Sequence, residues 1–476
     1  KGANSAAHNT VLGESALDAA VTGTGNTAIG KSVLSANTSG AANTGLGAFA
    51  LTNVTTGSNN TGVGRSVLTT LVNGSQNTSI GAYSLNNNNS GDENTAVGFN
   101  SLLSNTSGAN NTAVGSRSLD VNTTASNNTA IGYASLGANT TGFDNVAVGS
   151  LTLDVNTTGF GNTGLGRGVL GANTTASQNT GVGYLALAAN TTGAQNVAVG
   201  NHSLDANTTA EFNTAIGAHS LGSNTTGNNN TALGKSALTL NTTASNNTAV
   251  GFSALFANTT GAQNVAVGAD SLDANTTGQH NVSIGYRSLS ANTTASDNTA
   301  IGKDTLLSNT TGTSNVAVGA NALDNNTTGQ ENVAVGRHAG SAITTGSDNV
   351  FVGDLAGQVQ TTASNNTGIG SFALNANTTG ANNVAVGTEA LDSNTTGDQN
   401  TACGAFALEA NTTGDQNTSV GVRALDQNTT ANDNTAMGHS ALGANTTGAE
   451  NVAVGSLCLD ANTTGDENTA IGKSAL

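Results

Sequence analysis

The chain reads Asn-Thr-Val-Leu-Gly at residues 9–13 and Asn-Thr-Ala-Ile-Gly at residues 26–30, and this pattern returns every seventeen residues up to Asn468. No insertion or deletion interrupts the series, and the length of 476 residues equals 28 times 17. With Asn9 as position 1, the consensus is N-[TV]-A-[VI]-G-x-x-A-L-x-x-N-T-T-G-x-x. A fixed short period without gaps is typical of a solenoid, in which each coil buries its apolar side against its neighbours.

The repeat predicts strands, because Asn, Thr and Gly are poor helix formers and the first five positions alternate as a strand does. The Ala-Leu pair at positions 8 and 9 predicts a second short strand, and Asn-Thr-Thr-Gly at positions 12–15 predicts a turn or a third. We therefore expect an all-β, parallel β-solenoid of 28 coils, with residues 1–476 as a single continuous array without caps. At the usual strand spacing, 28 coils would form a rod of roughly 130 Å.

The predicted core consists of the aliphatic residue at position 4 and the leucine at position 9, such as Val148 and Leu153. Cys403 and Met437 replace the aliphatic residue at position 4, and Cys458 occupies position 8, so all three are expected in the core. The cysteines lie three coils apart, or roughly 14 Å, which is too far for a disulfide. Since such a core is thin, burial between chains is expected, and with it a homo-oligomer.

The composition argues against several classes of protein. Proline and tryptophan are absent and only 8% of residues are charged, whereas a typical globular domain has about 25% charged residues. The formal charge of −17 disfavours a nucleic-acid partner, because phosphate binding needs a basic surface. No apolar run approaches the roughly 20 residues that cross a bilayer, so no membrane span is expected.

Segments such as Asn145-Val146-Ala147-Val148-Gly149 resemble the N-S-V-A-I-G motif in the heads of trimeric autotransporter adhesins. The run N-T-x-[VI]-G-x-x-A-[LG]-x-x-x-T-T-G also resembles repeats of bacterial and phage tail-fibre-like proteins. The resemblance implies a left-handed β-roll wound as a trimer, and an adhesive or structural role at the cell surface. The adhesin heads have shorter repeats, so the Asn-Thr-Thr-Gly segment would be an added arm.

Residues that break the repeat do not converge, so no catalytic residues, cofactor site or enzyme activity are expected. His202 and His219 share position 7 in adjacent coils and could stack, but no third metal ligand accompanies them. Aspartates recur at position 10, and acidic residues recur at positions 16 and 17. The first explanation for both groups is solubility, and the second is weak Ca²⁺ binding. These acidic residues include Asp120, Asp154, Asp205, Asp273, Asp324, Asp460, Asp92, Glu93, Asp144, Asp297, Asp398, Asp415, Asp466 and Glu467.

The Asn-Thr-Thr element occurs in 19 copies, and each is an N-x-T acceptor for N-glycosylation. Its predicted place in an outer loop would expose both the Asn and the Thr side chains, such as Thr123 and Thr124. The alternative is that Asn and Thr simply form good turns and ladders. The candidate asparagines are Asn122, Asn139, Asn156, Asn173, Asn190, Asn207, Asn224, Asn241, Asn258, Asn275, Asn292, Asn309, Asn326, Asn377, Asn394, Asn411, Asn428, Asn445 and Asn462.

Three functions compete at this stage. The first is an extracellular structural filament or adhesin shaft, with other copies of the chain and surface glycans as partners. The second is a viral tail-fibre shaft, and the third is an ice-binding solenoid, which adjacent Thr residues would serve poorly. The chain begins at position 10 and ends at position 9, a complementary register that predicts end-to-end filaments or a window from a longer array.

Overall fold

A computed structural model describes residues 8–476, and within that range the regular structure is entirely β, with one strand of three residues in each coil. Each strand occupies positions 2–4 of its repeat. The expected second strand at positions 8–9 does not form, because this segment is a turn, and positions 12–15 form a bend, in agreement with the turn that was the alternative to a third strand. The strands are β1 (Thr10–Leu12), β2 (Thr27–Ile29), β3 (Thr44–Leu46), β4 (Thr61–Val63), β5 (Thr78–Ile80), β6 (Thr95–Val97), β7 (Thr112–Val114), β8 (Thr129–Ile131), β9 (Val146–Val148), β10 (Thr163–Leu165), β11 (Thr180–Val182), β12 (Val197–Val199), β13 (Thr214–Ile216), β14 (Thr231–Leu233), β15 (Thr248–Val250), β16 (Val265–Val267), β17 (Val282–Ile284), β18 (Thr299–Ile301), β19 (Val316–Val318), β20 (Val333–Val335), β21 (Val350–Val352), β22 (Thr367–Ile369), β23 (Val384–Val386), β24 (Thr401–Cys403), β25 (Thr418–Val420), β26 (Thr435–Met437), β27 (Val452–Val454) and β28 (Thr469–Ile471).

The chain divides into two compact units, one ending at Ser236 and one running from Ala237 to Leu476. The first unit contains β1–β14 and the second contains β15–β28. Within each unit every strand pairs in parallel with the next, and each residue lies beside the residue seventeen positions later, as Thr10 does beside Thr27. The parallel solenoid predicted from the period is thus confirmed within each unit.

The strand alternation is also confirmed, but the predicted core side was wrong at position 4. Positions 1, 3, 8, 9, 12 and 15 face inward, while positions 2 and 4 face outward. Leu153 and Cys458 are fully buried as expected, whereas Val148 and Cys403 are only half-buried and Met437 is 43% exposed. Both cysteines are free thiols.

The narrow interior explains why alanine or glycine, rather than a larger residue, usually takes the inward position of the strand. At Gly45 in position 3, even one added Cβ would collide with the Val33 side chain. The leucine at position 9 fills most of the remaining space, since Leu153 and most of its equivalents are completely buried. A branched side chain is therefore accommodated at position 4, on the outside, where nothing within the coil limits its size.

Position 9 adopts an unusual backbone conformation for leucine. Every leucine at this position, from Leu17 to Leu476, has φ between 47° and 64°, which lies in the left-handed region. That region costs an L-residue roughly 1–2 kcal/mol. Complete burial of the leucine side chain contributes about 1.5–3 kcal/mol in return. The turn is thus compatible with leucine because the side chain is driven into the core.

Glycine at position 5 is required for two reasons. Its φ lies between 121° and 145° in all 28 copies, a region that L side chains rarely adopt. A Cβ at Gly217 would also collide with the carbonyl group of Gly234 in the next coil. Close stacking of successive backbones therefore leaves no room for a side chain at this turn.

The coils that begin at Asn332 and Asn349 depart from the repeat in a compensated way. Gly340 and Gly357 replace the leucine of position 9, and Phe351 replaces the alanine of position 3. Phe351 is fully buried, and a Cβ at Gly357 would lie 2.5–2.6 Å from three atoms of its ring. One large side chain from the strand thus fills the volume that leucines fill elsewhere.

Candidate functional surfaces

The asparagines of the Asn-Thr-Thr element lie inside the coil rather than on an outer loop. Eighteen of the 19 candidate asparagines are completely buried, and Asn462 in the last coil is half-buried. Asn156 shows their bonding: its Nδ2 donates to Oδ1 of Asn139 in the preceding coil at 3.0 Å and to the carbonyl oxygen of Gly159 at 3.0 Å. Its own Oδ1 accepts from Asn173 at 2.9 Å. A glycan on Nδ2 would break these bonds and has no room, so the structure contradicts the expected exposure of these side chains.

Two interruptions show how the asparagine ladder works. The Oδ1 atoms of Asn37 and Asn326 are buried without a hydrogen-bond partner. In each case the next coil carries an aliphatic residue at position 12, Val54 after Asn37 and Ile343 after Asn326. The missing amide donor in the following coil therefore accounts for both orphaned oxygens, and elsewhere the ladder satisfies polar groups that burial would otherwise penalise.

A second ladder runs through the asparagine at position 1. The Asn162 backbone N–H donates to Oδ1 of Asn145 at 2.9 Å, and its Nδ2 donates to the carbonyl oxygen of Ala176 at 2.9 Å. Sequence reasoning did not assign a role to this residue. Two features of the repeat could have revealed one: position 1 is Asn in all 28 copies, and alternation places it on the same side as position 3.

The two threonines of the element have different environments. Thr123 at position 13 is half-buried, and its hydroxyl donates to the carbonyl oxygen of Thr140 at 3.1 Å. Thr124 at position 14 is exposed. Modification of the exposed hydroxyl column stays a prediction, and an intact mass above 46.3 kDa would reveal it.

The outward side chains of positions 2 and 4 form a surface that we call the outer sheet face. Position 4 is always apolar, and many of its side chains are strongly exposed, including Leu165 at 48% and Leu233 at 45%. Position 2 is Thr throughout β1–β8 and is Thr or Val in later strands. Each unit therefore presents a continuous row of apolar side chains on this face.

The charges are separated by position around the coil. Among residues 8–476, every Lys and Arg lies at position 6 or 7, whereas 23 of the 28 acidic residues lie at positions 10, 16 or 17. Carboxylates at position 16 have a structural role: Asp398 and Asp415 accept the backbone N–H of Ala381 and Asp398, respectively, both at 2.7 Å. The cations are Lys31, Arg65, Arg117, Arg167, Lys235, Arg287, Lys303, Arg337, Arg423 and Lys473.

The carboxylates of position 10 are partly withdrawn from water. Burial raises the pKa of Asp154 above its ordinary value of 3.8, and a backbone hydrogen bond opposes this only in part. The same cause comes first for Asp120, Asp273, Asp324, Asp392 and Asp426, and the pKa of Glu409 is raised by burial and then by Glu389. Asp392, Glu409 and Asp426 occupy consecutive coils, a run that sequence reasoning missed because it counted only aspartates.

The acidic residues and histidines do not assemble a metal site in the part of the chain that the structure describes. His202 and His219 stack as predicted, with ring centroids 5.5 Å apart, and Nδ1 of His202 lies 2.7 Å from Oδ2 of Asp205. Within residues 8–476, no group of three or more His, Cys, Asp or Glu residues is placed to hold a metal ion. Weak calcium binding between neighbouring carboxylates stays a prediction.

Comparison with known proteins gives no identification: no protein-family model matches the chain, and no curated protein matches it. Among residues 8–476, no helix has the length and apolar character to cross a bilayer.

Proposed function

We propose that this chain is a structural segment of an extracellular filament or adhesin shaft. The observation that carries the proposal is the uniformity of the coils, which keep one register and one turn geometry in both units. Even the largest departure from the repeat, Phe351 with Gly340 and Gly357, is a volume exchange in the core and opens no cleft. Such an arrangement supports a mechanical role without catalysis, at the cell surface or in a viral tail fibre.

Assembly of several chains would use the outer sheet face, and the partner we propose is another copy of the chain. Fourteen strands of three residues give the outer sheet face of each unit an area of roughly 670 Å², from a strand spacing of about 4.8 Å and a rise of about 3.3 Å per residue. A stable interface buries about 800 Å² per partner. The area of this face in one unit is thus close to the area that a stable interface buries. The resemblance to adhesin heads favours a left-handed trimer. End-to-end joining of such assemblies stays a prediction.

The assembly can be tested by replacing aliphatic residues of the outer sheet face with lysine. We expect light scattering to give a multiple of 46.3 kDa for the unmodified chain and a lower mass for the variant I284K/I301K. The matched control T294K/T311K places the same charges in the same coils but on exposed position 14. A monomeric unmodified chain, or equal dissociation of both variants, would refute assembly through this face.

Ice binding is a second candidate that one observation favours. In β1–β8 an outward Thr at position 2 stands beside an outward aliphatic side chain at position 4, so regular Thr and methyl columns run along one face. This array differs from the Thr-Thr pair considered in the sequence. Thermal hysteresis at micromolar concentration would support it, whereas assembly that buries the same face would exclude it.

A further inference from the structure

The edge of the coil at positions 6 and 7 differs between the two units. In the first unit, Arg65, Arg117 and Arg167 are exposed, and no carboxylate oxygen of the described residues lies within the 4.0 Å of an ion pair. Asp120 attracts Arg117 only from a longer distance. These three cations are thus available to an external anion.

Aromatic rings occupy several coils that lie between or directly after these arginines. Tyr83 and Phe99 follow Arg65, Tyr133 follows Arg117, and Tyr184 follows Arg167. Phe99, Tyr133 and Tyr184 are 49%, 52% and 42% exposed. The rings therefore place exposed apolar surface beside the positive charges, and we call these seven residues the arginine–aromatic edge.

Contacts within this edge hold several of its side chains in place. The Arg65 guanidinium carbon lies 5.7 Å from the centre of the Tyr83 ring, and Tyr83 meets Phe99 edge to face with centroids 6.3 Å apart. Arg167 lies 5.9 Å from the Tyr184 ring in the same way. Because cation–π contacts leave the guanidinium N–H groups unused, these arginines keep their donors for a ligand.

Four cations of the second unit at the same positions, Arg287, Lys303, Arg337 and Arg423, provide a contrast, because each lies within ion-pair distance of an aspartate of the chain. Nε and Nη2 of Arg337 donate to the two carboxylate oxygens of Asp354, each at 3.0 Å. Nζ of Lys303 lies 3.2 Å from Asp304, and Nη1 of Arg287 lies 3.9 Å from it. Cations that are paired in this way attract an external anion only weakly.

We propose that the arginine–aromatic edge binds a glycan in which carboxylated sugars alternate with neutral segments. The three arginines recur at intervals of three coils, or about 14 Å, whereas a nucleic-acid strand carries a phosphate about every 3.4 Å. A sparsely charged polymer matches the arginine spacing better than a nucleic acid does. Guanidinium groups bind carboxylates in a bidentate manner, and the exposed rings would stack on the apolar faces of the sugars between them.

This ligand goes beyond the proposed mechanical role, since a single unassembled chain would suffice to bind it. The probe is a hyaluronan oligosaccharide, in which uronic acid alternates with a neutral sugar, measured against neutral dextran and single-stranded oligo-dT by biolayer interferometry. We expect hyaluronan to bind, and its affinity to fall as the salt concentration rises. Dextran and oligo-dT should give only the background signal. The variant R65A/R117A/R167A should bind at least tenfold more weakly.

The matched control is R287A/K303A/R337A, which removes the same net charge from the paired cations of the second unit. We expect it to keep the affinity of the unmodified chain, and circular dichroism should show both variants folded, because all six side chains are on the surface. Equal losses in the two variants would mean non-specific electrostatics and overturn the proposal. Absent hyaluronan binding, equal dextran binding or preferred oligo-dT binding would each overturn it as well.

Discussion

Replacing Phe351 with alanine should open a cavity in the coils where leucine is missing from position 9. Phe351 is completely buried, and Gly357, whose Cβ would lie 2.5–2.6 Å from its ring, provides no side chain to fill the space. Truncation of a buried phenylalanine typically costs 3–5 kcal/mol. We expect F351A to lose about that much free energy of unfolding, because the neighbouring backbone ladders keep the cavity from collapsing. The control F372A removes a ring that is 36% exposed in the next coil and should cost about 1 kcal/mol or less.

The second substitution, G357L, distinguishes volume exchange from simple burial. Alone it should destabilise by about 1–3 kcal/mol through overpacking against Phe351. In F351A/G357L the leucine would restore the packing of ordinary coils, since Gly357 has φ of 60° and leucines at position 9 already occupy that region. The double variant should therefore be more stable than either single variant, a strongly non-additive result.

Hydrogen exchange read by mass spectrometry is the suitable assay, because a repeat array can open locally without unfolding throughout. Peptides covering β20–β22 should lose protection in F351A and regain most of it in F351A/G357L. Peptides near β25 should change little. If the double variant were as destabilised as the sum of the single variants, the proposed exchange of volume between positions 3 and 9 would be refuted.

Three other substitutions test the ladder, the turn and the buried carboxylates. N156D removes an amide donor and buries a carboxylate, so it should lower the free energy of unfolding by at least about 3 kcal/mol at neutral pH. The control N201D, at an exposed position, should leave stability nearly unchanged. Thermal denaturation measures both variants. G217A should lower the free energy of unfolding by about 2–5 kcal/mol, because of backbone strain and collision with the next coil. The control G222A lies in the same coil, where an added Cβ meets nothing closer than 3.3 Å, and it should cost under about 1 kcal/mol. Urea denaturation measures both, and equal costs would contradict the stacking of the turns. The raised pKa of Asp154 means that the folded state binds the proton of this carboxyl more tightly than the unfolded state does, so the stability that protonation contributes is full below pH 3.8 and is lost as pH rises through the folded pKa. D154N should therefore raise the melting temperature at pH 7 and leave it unchanged at pH 3. An equal shift at both pH values would contradict burial as the cause.

Most of the fold follows from the seventeen-residue period of the sequence. The strands at positions 2–4, their parallel pairing and the burial of Leu153 follow from alternation and from gap-free stacking. The orientation of Val148 did not follow, because hydrophobicity alone favours an aliphatic residue over Ala147 for the interior. The deciding factor is space, since two asparagine ladders and a leucine leave room only for a small side chain at position 3.

The candidate surfaces were harder to predict for a related reason. Asparagine and threonine suggest an exposed turn when each coil is considered alone, but stacked coils offer Asn156 donors and acceptors seventeen residues away in both directions. The arginine–aromatic edge is visible in the sequence only once positions 6 and 7 are known to share one edge. Pairing of Arg337 with Asp354 and its absence at Arg65 needed side-chain geometry.

The central claim, that position 8 faces inward and position 4 outward, can be tested on the unmodified chain through its two thiols. Cys403 occupies position 4 and is half-buried, whereas Cys458 occupies position 8 and is completely buried. Labelling with a small thiol reagent, followed by peptide mapping, should modify Cys403 much faster than Cys458 in the folded chain and both equally in denaturant. Equal or faster labelling of Cys458 in the folded chain would contradict the arrangement of the coil.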